Sequence, residues 1–130
     1  MIHCYVYRHR RVDNNQIFYI GIGSKKHSNQ TSRIYYRART KSRRNNFWHK
    51  IANKTDILIE IIYDNISWED ACELEILLIE SYGRRDKKLG NLSNLSDGGE
   101  GSLGVIASKE TREKMYLSGK LKNKTPLIII

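Results

Sequence analysis

The chain has 130 residues, enough for one domain with one modest core. Hydrophobic residues make up 39% and charged residues 28%; 23 Lys and Arg against 14 Asp and Glu give a formal charge of +9 and a pI near 9.7, so a polyanion is the first partner to consider. No run of eighteen apolar residues could span a membrane, Met1 to Arg11 lacks the apolar run of a secretory signal, and Cys4 and Cys72 make neither a disulfide framework nor a C-x-x-C pair. The two thiols are expected to be buried and reduced, in a cytoplasmic protein.

The first element reads as a strand over 3–9, with Cys4, Val6 and Arg8 on one side and Tyr5 and Tyr7 on the other. Asp13-Asn14-Asn15 is turn chemistry, and a second strand over 16–22 completes a hairpin, with Phe18, or else Tyr19, facing inward. Gly21 and Gly23 let something approach the backbone closely, or let the strand bend. After a polar loop, 33–42 and 44–53 predict two short basic helices, the second with Phe47, Trp48, Ile51 and Ala52 as its apolar stripe. Residues 56–64 are apolar enough for a central strand. Ser67 caps the longest helix, Glu69 and Asp70 suit its first turn, and Gly83 stops it. A Gly/Ser/Asn loop spans 91–104, a charged helix starts near 108–115, and Leu127 to Ile130 read as a frayed or truncated end. The order β-β-α-α-β-α predicts an α+β fold: a small three-stranded antiparallel sheet flanked by helices, plus a short C-terminal helical tail.

Charge is unevenly placed. Between Asp13 and Asp56 lie ten Lys and Arg and not one acid, whereas 56–86 holds nine of the fourteen acids. A solvated face normally mixes both signs, so the basic half points to phosphates.

On the wheel of the long helix, Glu69, Glu73 and Glu80 share the solvent side, but Glu75 falls among Ala71, Leu78, Ile79 and Tyr82. A carboxylate there needs a partner: one of the arginines in a structural ion pair, or a metal. With no second acid near it on that face, the metal reading is one divalent ion completed by water and phosphate. Eight tyrosines are present; Tyr7 and Tyr19 fall on adjacent hairpin strands, either as core packing or near enough to a cation to share a proton. His3, His9, His27 and His49 lack metal-ligand spacing and are expected mostly at the surface.

These residues together resemble the GIY-YIG nuclease family, over about residues 3–104. Tyr5-Val6-Tyr7 is similar to the first half of the signature and Tyr19-Ile20-Gly21 is the second half. Arg33 fits the family's arginine, Glu75 its glutamate and Asn94, in Asn94-Leu95-Ser96-Asp97-Gly98-Gly99, its asparagine, a form common in phage-borne members. Tyr5 replaces a glycine, and Arg37 stands where many members carry a histidine, which passes the proton-shuttle role to a tyrosine; Arg37 is also the alternative position for the arginine. The segment 108–124 resembles a DNA-binding module of phage homing endonucleases.

The resemblance implies a nuclease domain over 1–104 with a basic tail over 105–130, and a cytoplasmic enzyme of a bacterial or phage-infected cell. It implies metal-dependent hydrolysis of DNA. Glu75 would hold Mg²⁺ or Mn²⁺, Tyr7 would take the proton of the attacking water with Tyr19 in support, Arg33 would neutralise phosphoryl charge, and Asn94 would orient Glu75 or the phosphate. Lys25, Lys26, Arg37, Arg39, Arg43 and Arg44 would contact the nucleic-acid backbone. The alternatives are a weak or inactive nucleic-acid-binding module on the same fold, a ribonuclease, or a basic structural protein with Glu75 in an internal ion pair.

Overall fold

The computed structural model describes residues 3–25, 34–98 and 127–129. Strands β1 (Cys4–Arg11) and β2 (Ile17–Ser24) form the expected hairpin, with Asn15 at φ 63° in its turn. Asparagine tolerates that left-handed angle better than most side chains. β3 (Ile57–Ile66) pairs antiparallel with the other side of β1.

The sheet has four strands rather than three, in the order β2-β1-β3-β4. The fourth, β4 (Leu127–Ile129), corrects the expected frayed end: Ile59 faces Ile129 and Ile61 faces Leu127 in an antiparallel ladder. β-Branched residues suit a strand, and pairing there covers an otherwise open edge of β3. The predicted helix at 108–115 and the remainder of the tail lie outside the described residues.

β1 is buried on both faces, every residue from Cys4 to His9 included. On one face it meets α3 (Trp68–Tyr82), where Cys4, Val6, Ile17, Ile20 and Ile62 pack against Ala71, Leu74, Leu77 and Leu78. Both cysteines are free and buried, as expected. Ser67 caps α3 by accepting a hydrogen bond from the Asp70 N–H, and Gly83 ends it. No helix among the described residues is long and apolar enough to cross a membrane.

On the other face, α1 (Tyr36–Arg39) and α2 (Asn46–Ala52) cover the rings of Tyr5, Tyr7 and Phe18. α1 is a single turn, shorter than the pattern of basic residues predicts. Thr40 turns extended, and its hydroxyl accepts from the Ser42 N–H, the local side-chain bond that competes with helix continuation. Asn45 then caps α2 by accepting from Trp48 N–H.

One buried charge cluster ties the sheet to the end of α3. Glu60, 2% exposed, accepts from Arg8 and Arg10, and Arg8 also donates to the Tyr82 hydroxyl. Burial pushes the Glu60 carboxyl up, but its bonds to Arg10 and Arg8 win and hold it below its ordinary value.

Candidate active site

The cross-strand register explains the glycines of β2. Tyr5 faces Gly23 and Tyr7 faces Gly21. Each ring lies across its glycine: a Cβ on Gly21 would sit 2.3 Å from Tyr7 Cζ, and one on Gly23 would sit 2.4 Å from the Tyr5 hydroxyl. What approaches the glycine backbone is therefore the pair of tyrosines on β1. The register shifts opposite His9 and Arg10, where Phe18 is the extra residue of β2, and burial resolves the open choice between Phe18 and Tyr19. Phe18 is buried against Trp48 and Ile51, while Tyr19, half-buried, lies 6.2 Å from Tyr7 between ring centroids.

β2 is an edge strand, and residues 92–98 fold over its open side. Ser93 N–H donates to the Phe18 carbonyl; the Asn94 side chain accepts from Ile20 N–H and donates to Ile20 C=O. This two-way amide clasp works as one rung of a missing strand. It ties Asn94 to the β2 backbone and fixes the loop, while one further N–H and one lone pair of the amide remain beyond these two bonds.

That loop closes a cleft of about 260 Å³, lined by Tyr7, Tyr19, Gly21, Ile22, Arg37, Trp68, Glu75, Asn94, Ser96 and Gly98. Glu75 is half-buried, flanked on α3 by the buried Ala71, Leu78 and Ile79. Gly98, at φ 89°, packs so closely that a Cβ there would come 2.9 Å from the Glu75 carboxylate. The cleft thus gathers Tyr7, Tyr19, Glu75 and Asn94, drawn from β1, β2, α3 and the following loop, together with Arg37 from α1. Arg33 lies outside the described residues, as does Lys26.

Among the described residues no three His, Cys, Asp or Glu side chains cluster to hold a metal. One carboxylate at the wall of a polar cleft fits an ion that keeps most of its oxygen ligands as water or phosphate, as Mg²⁺ does. The residues present fit such an ion, with Glu75 as the side chain that would hold it.

Compared with known proteins, the chain matches no family, no curated sequence and no solved structure.

The remaining basic residues divide by environment. Arg37 and Arg43 line a shallow polar recess with Tyr36, Thr40 and Ser42, and Arg39 is exposed. Lys25 is engaged within the fold, in an ion pair with Asp64 (2.8 Å) and 5.6 Å above the Tyr35 ring. Arg44 is buried and donates to the Tyr7 oxygen, which corrects its expected place among the surface contacts.

His9 corrects another expectation, for it is 1% exposed. Its Nε2 donates to the Ala38 carbonyl (2.8 Å) and its Nδ1 accepts from the Trp48 indole N–H (3.0 Å), which assigns the neutral Nε2–H tautomer. Strand alternation carries the signal that would have found it, since residue 9 shares a face with Tyr5 and Tyr7. Burial pulls the imidazole down to about 3, over the opposing bond to Ala38.

Acid should therefore weaken the fold in two stages. The unfolded chain takes up a proton at residue 9 below pH 6.5, whereas the folded protein does so only near 3, so His9 costs stability throughout that window as pH falls. The loss approaches about 1.4 kcal/mol for each pH unit. Glu60, whose ordinary value is 4.5, adds to the loss only below that point. Thermal unfolding followed from pH 7.5 to 4.8 should show a slope that His9→Gln flattens. An unchanged slope in that variant would mean that His9 is not the group responsible.

Proposed function

We propose that the cleft hydrolyses phosphodiester bonds in DNA, as a divalent-metal-dependent endonuclease. The observation that supports this best is the meeting of the Glu75 carboxylate, the Tyr7 and Tyr19 rings and Arg37 around one polar cleft. The resemblance of Tyr5-Val6-Tyr7, Tyr19-Ile20-Gly21, Arg33, Glu75 and Asn94 to the GIY-YIG nuclease signature points the same way.

In this reading the oxygen of a water attacks phosphorus, the P–O3′ bond breaks, and the products are a 3′-hydroxyl and a 5′-phosphate. A Mg²⁺ or Mn²⁺ ion held by Glu75 would supply positive charge to the phosphoryl oxygens and the leaving oxygen. Tyr7 would receive the water proton, and Tyr19 would keep the water in place. Burial, with Tyr19 beside it, pushes the Tyr7 phenol above its ordinary value, while Arg44 and Arg37 pull it down. The free protein thus holds Tyr7 protonated at neutral pH, and it becomes a base only after positive charge gathering in the cleft drives its own proton to solvent.

Arg37 would neutralise charge on the phosphate, a part that Arg33 shares or takes instead. Arg37, Arg39 and Arg43, with Lys26, would hold the flanking backbone. The reduced, buried Cys4 and Cys72 suit a cytoplasmic setting. A second reading, nucleic-acid binding without cleavage, draws support from Asn94, whose amide bonds the Ile20 backbone through both its oxygen and its nitrogen.

Supercoiled plasmid and a matched RNA, each incubated with Mg²⁺ or Mn²⁺ and with EDTA, test the proposal. Nicked DNA that depends on the metal is the expected product. Retention of DNA on the protein with no nick under any ion would leave the binding reading in its place, and faster cleavage of the RNA would reassign the substrate.

A further inference from the structure

Behind the cleft, bonded to Tyr7, sits a cation to which the scheme above assigns no step. Arg44 is 9% exposed. Its Nη1 donates to the Tyr7 oxygen at 2.8 Å, its Nε donates to the Thr40 carbonyl at 3.1 Å, and its Nη2 donates to the Arg37 carbonyl. The guanidinium carbon lies 5.0 Å from the Tyr19 ring centre and 5.6 Å from those of Tyr7 and Trp48. These partners are three oxygens and three ring faces, and among the described residues no carboxylate is paired with Arg44.

A phenol oxygen has one proton to give and lone pairs to accept with. With the guanidinium bonded to the Tyr7 oxygen from the protein side, the hydroxyl proton and the other accepting direction are left for the cleft. The same fork grips the carbonyls of Arg37 and Thr40, which anchors the guanidinium in place behind the phenol. Only a planar group with several donors can do this while stacked between rings; a lysine keeps the charge but not the fork.

We propose that Arg44 is the positioning residue for Tyr7, holding the phenol oxygen from behind so that its reactive side faces the bound phosphodiester. The proposal rests on the hydrolytic reading of the cleft for its purpose, and on the hydrogen bond itself for its geometry. It assigns Arg44 a part quite different from a phosphate contact, and the two make opposite predictions.

In nicking kinetics, Arg44→Lys should lower kcat about tenfold or more, as expected when a proton acceptor is misplaced, with KM and the salt dependence of DNA binding unchanged. Loss of a phosphate contact would instead flatten the salt slope by about 0.9 and raise KM. In a Tyr7→Phe background, Arg44→Lys should cost little more, because the group that it positions is gone. A full second loss in the double variant, or a flattened salt slope, would overturn the proposal.

A readout without activity separates this proposal from the hydrolytic reading. In protein labelled at tyrosine ¹³Cζ, with the Tyr7 line assigned through Tyr7→Phe, Arg44→Lys should move that line and leave the tyrosines remote from Arg44 in place. Should Arg44→Lys fail to fold, Tyr7→Phe provides the reciprocal test, since loss of one hydroxyl should shift the Arg44 Nη–H signals. Unmoved lines refute the contact. Shifted lines in a protein that never cuts would uphold the contact and remove the hydrolytic reading, and with it the positioning role.

Discussion

Glu75→Gln is expected to reduce metal-dependent cleavage about a thousandfold, equivalent to about 4 kcal/mol of lost transition-state stabilisation. The amide has nearly the size of the carboxylate, so the packing against Gly98 and between Ala71 and Leu78 survives. What disappears is the negative charge that would hold the ion. DNA binding and its salt dependence should stay close to those of the parent, because the proposed backbone contacts, Arg37, Arg39 and Arg43, lie on α1 and just after it rather than on α3. Nicking rates and fluorescence-anisotropy titrations on the two proteins separate these effects. Equal loss of binding and cleavage would turn Glu75 into a structural residue.

Gly21→Ala should damage both the fold and the site. The new methyl would be placed 2.3 Å from Tyr7 Cζ and 2.4 Å from its oxygen, so the ring must swing away. Overpacking of this kind costs about 1–3 kcal/mol. The swing also breaks the bond between Tyr7 and Arg44, so cleavage should fall by more than the stability loss explains. Urea unfolding gives the first quantity and the nicking rate of the fraction that remains folded gives the second. A stable, fully active Gly21→Ala protein would show that the phenol does not need its place across the glycine.

The hairpin, β3 and α3 were readable because their signals are local: alternation in Cys4 to Arg8, five apolar residues around Glu60 from Ile57 to Ile62, and Ser67 and Gly83 at the two ends of one helix. The placing of Glu75 followed from helical periodicity alone, and the structure sets it at the cleft wall. α1 was overread because helical spacing of arginines says nothing of Thr40 and Ser42, whose hydroxyls bond to each other and divert the chain. β4 was invisible because its partner, Ile59 to Ile61, lies far away in sequence.

The site was harder to read than the fold. An arginine in a run of basic residues looks like a surface charge, and only the rings of Tyr7, Tyr19 and Trp48, brought together from β1, β2 and α2, make Arg44 a buried one. Asn94 was located but its work was not, since the free edge of β2 that it clasps exists only once the sheet has formed.

The most direct test of a divalent ion beside the two phenols is paramagnetic. With a short DNA duplex present, Mn²⁺ should broaden the ¹³Cζ lines of Tyr7 and Tyr19, excess Mg²⁺ should restore them, and Glu75→Gln should leave them sharp. Lines that stay sharp in the parent protein, or broaden equally in the Glu75→Gln variant, would contradict the account.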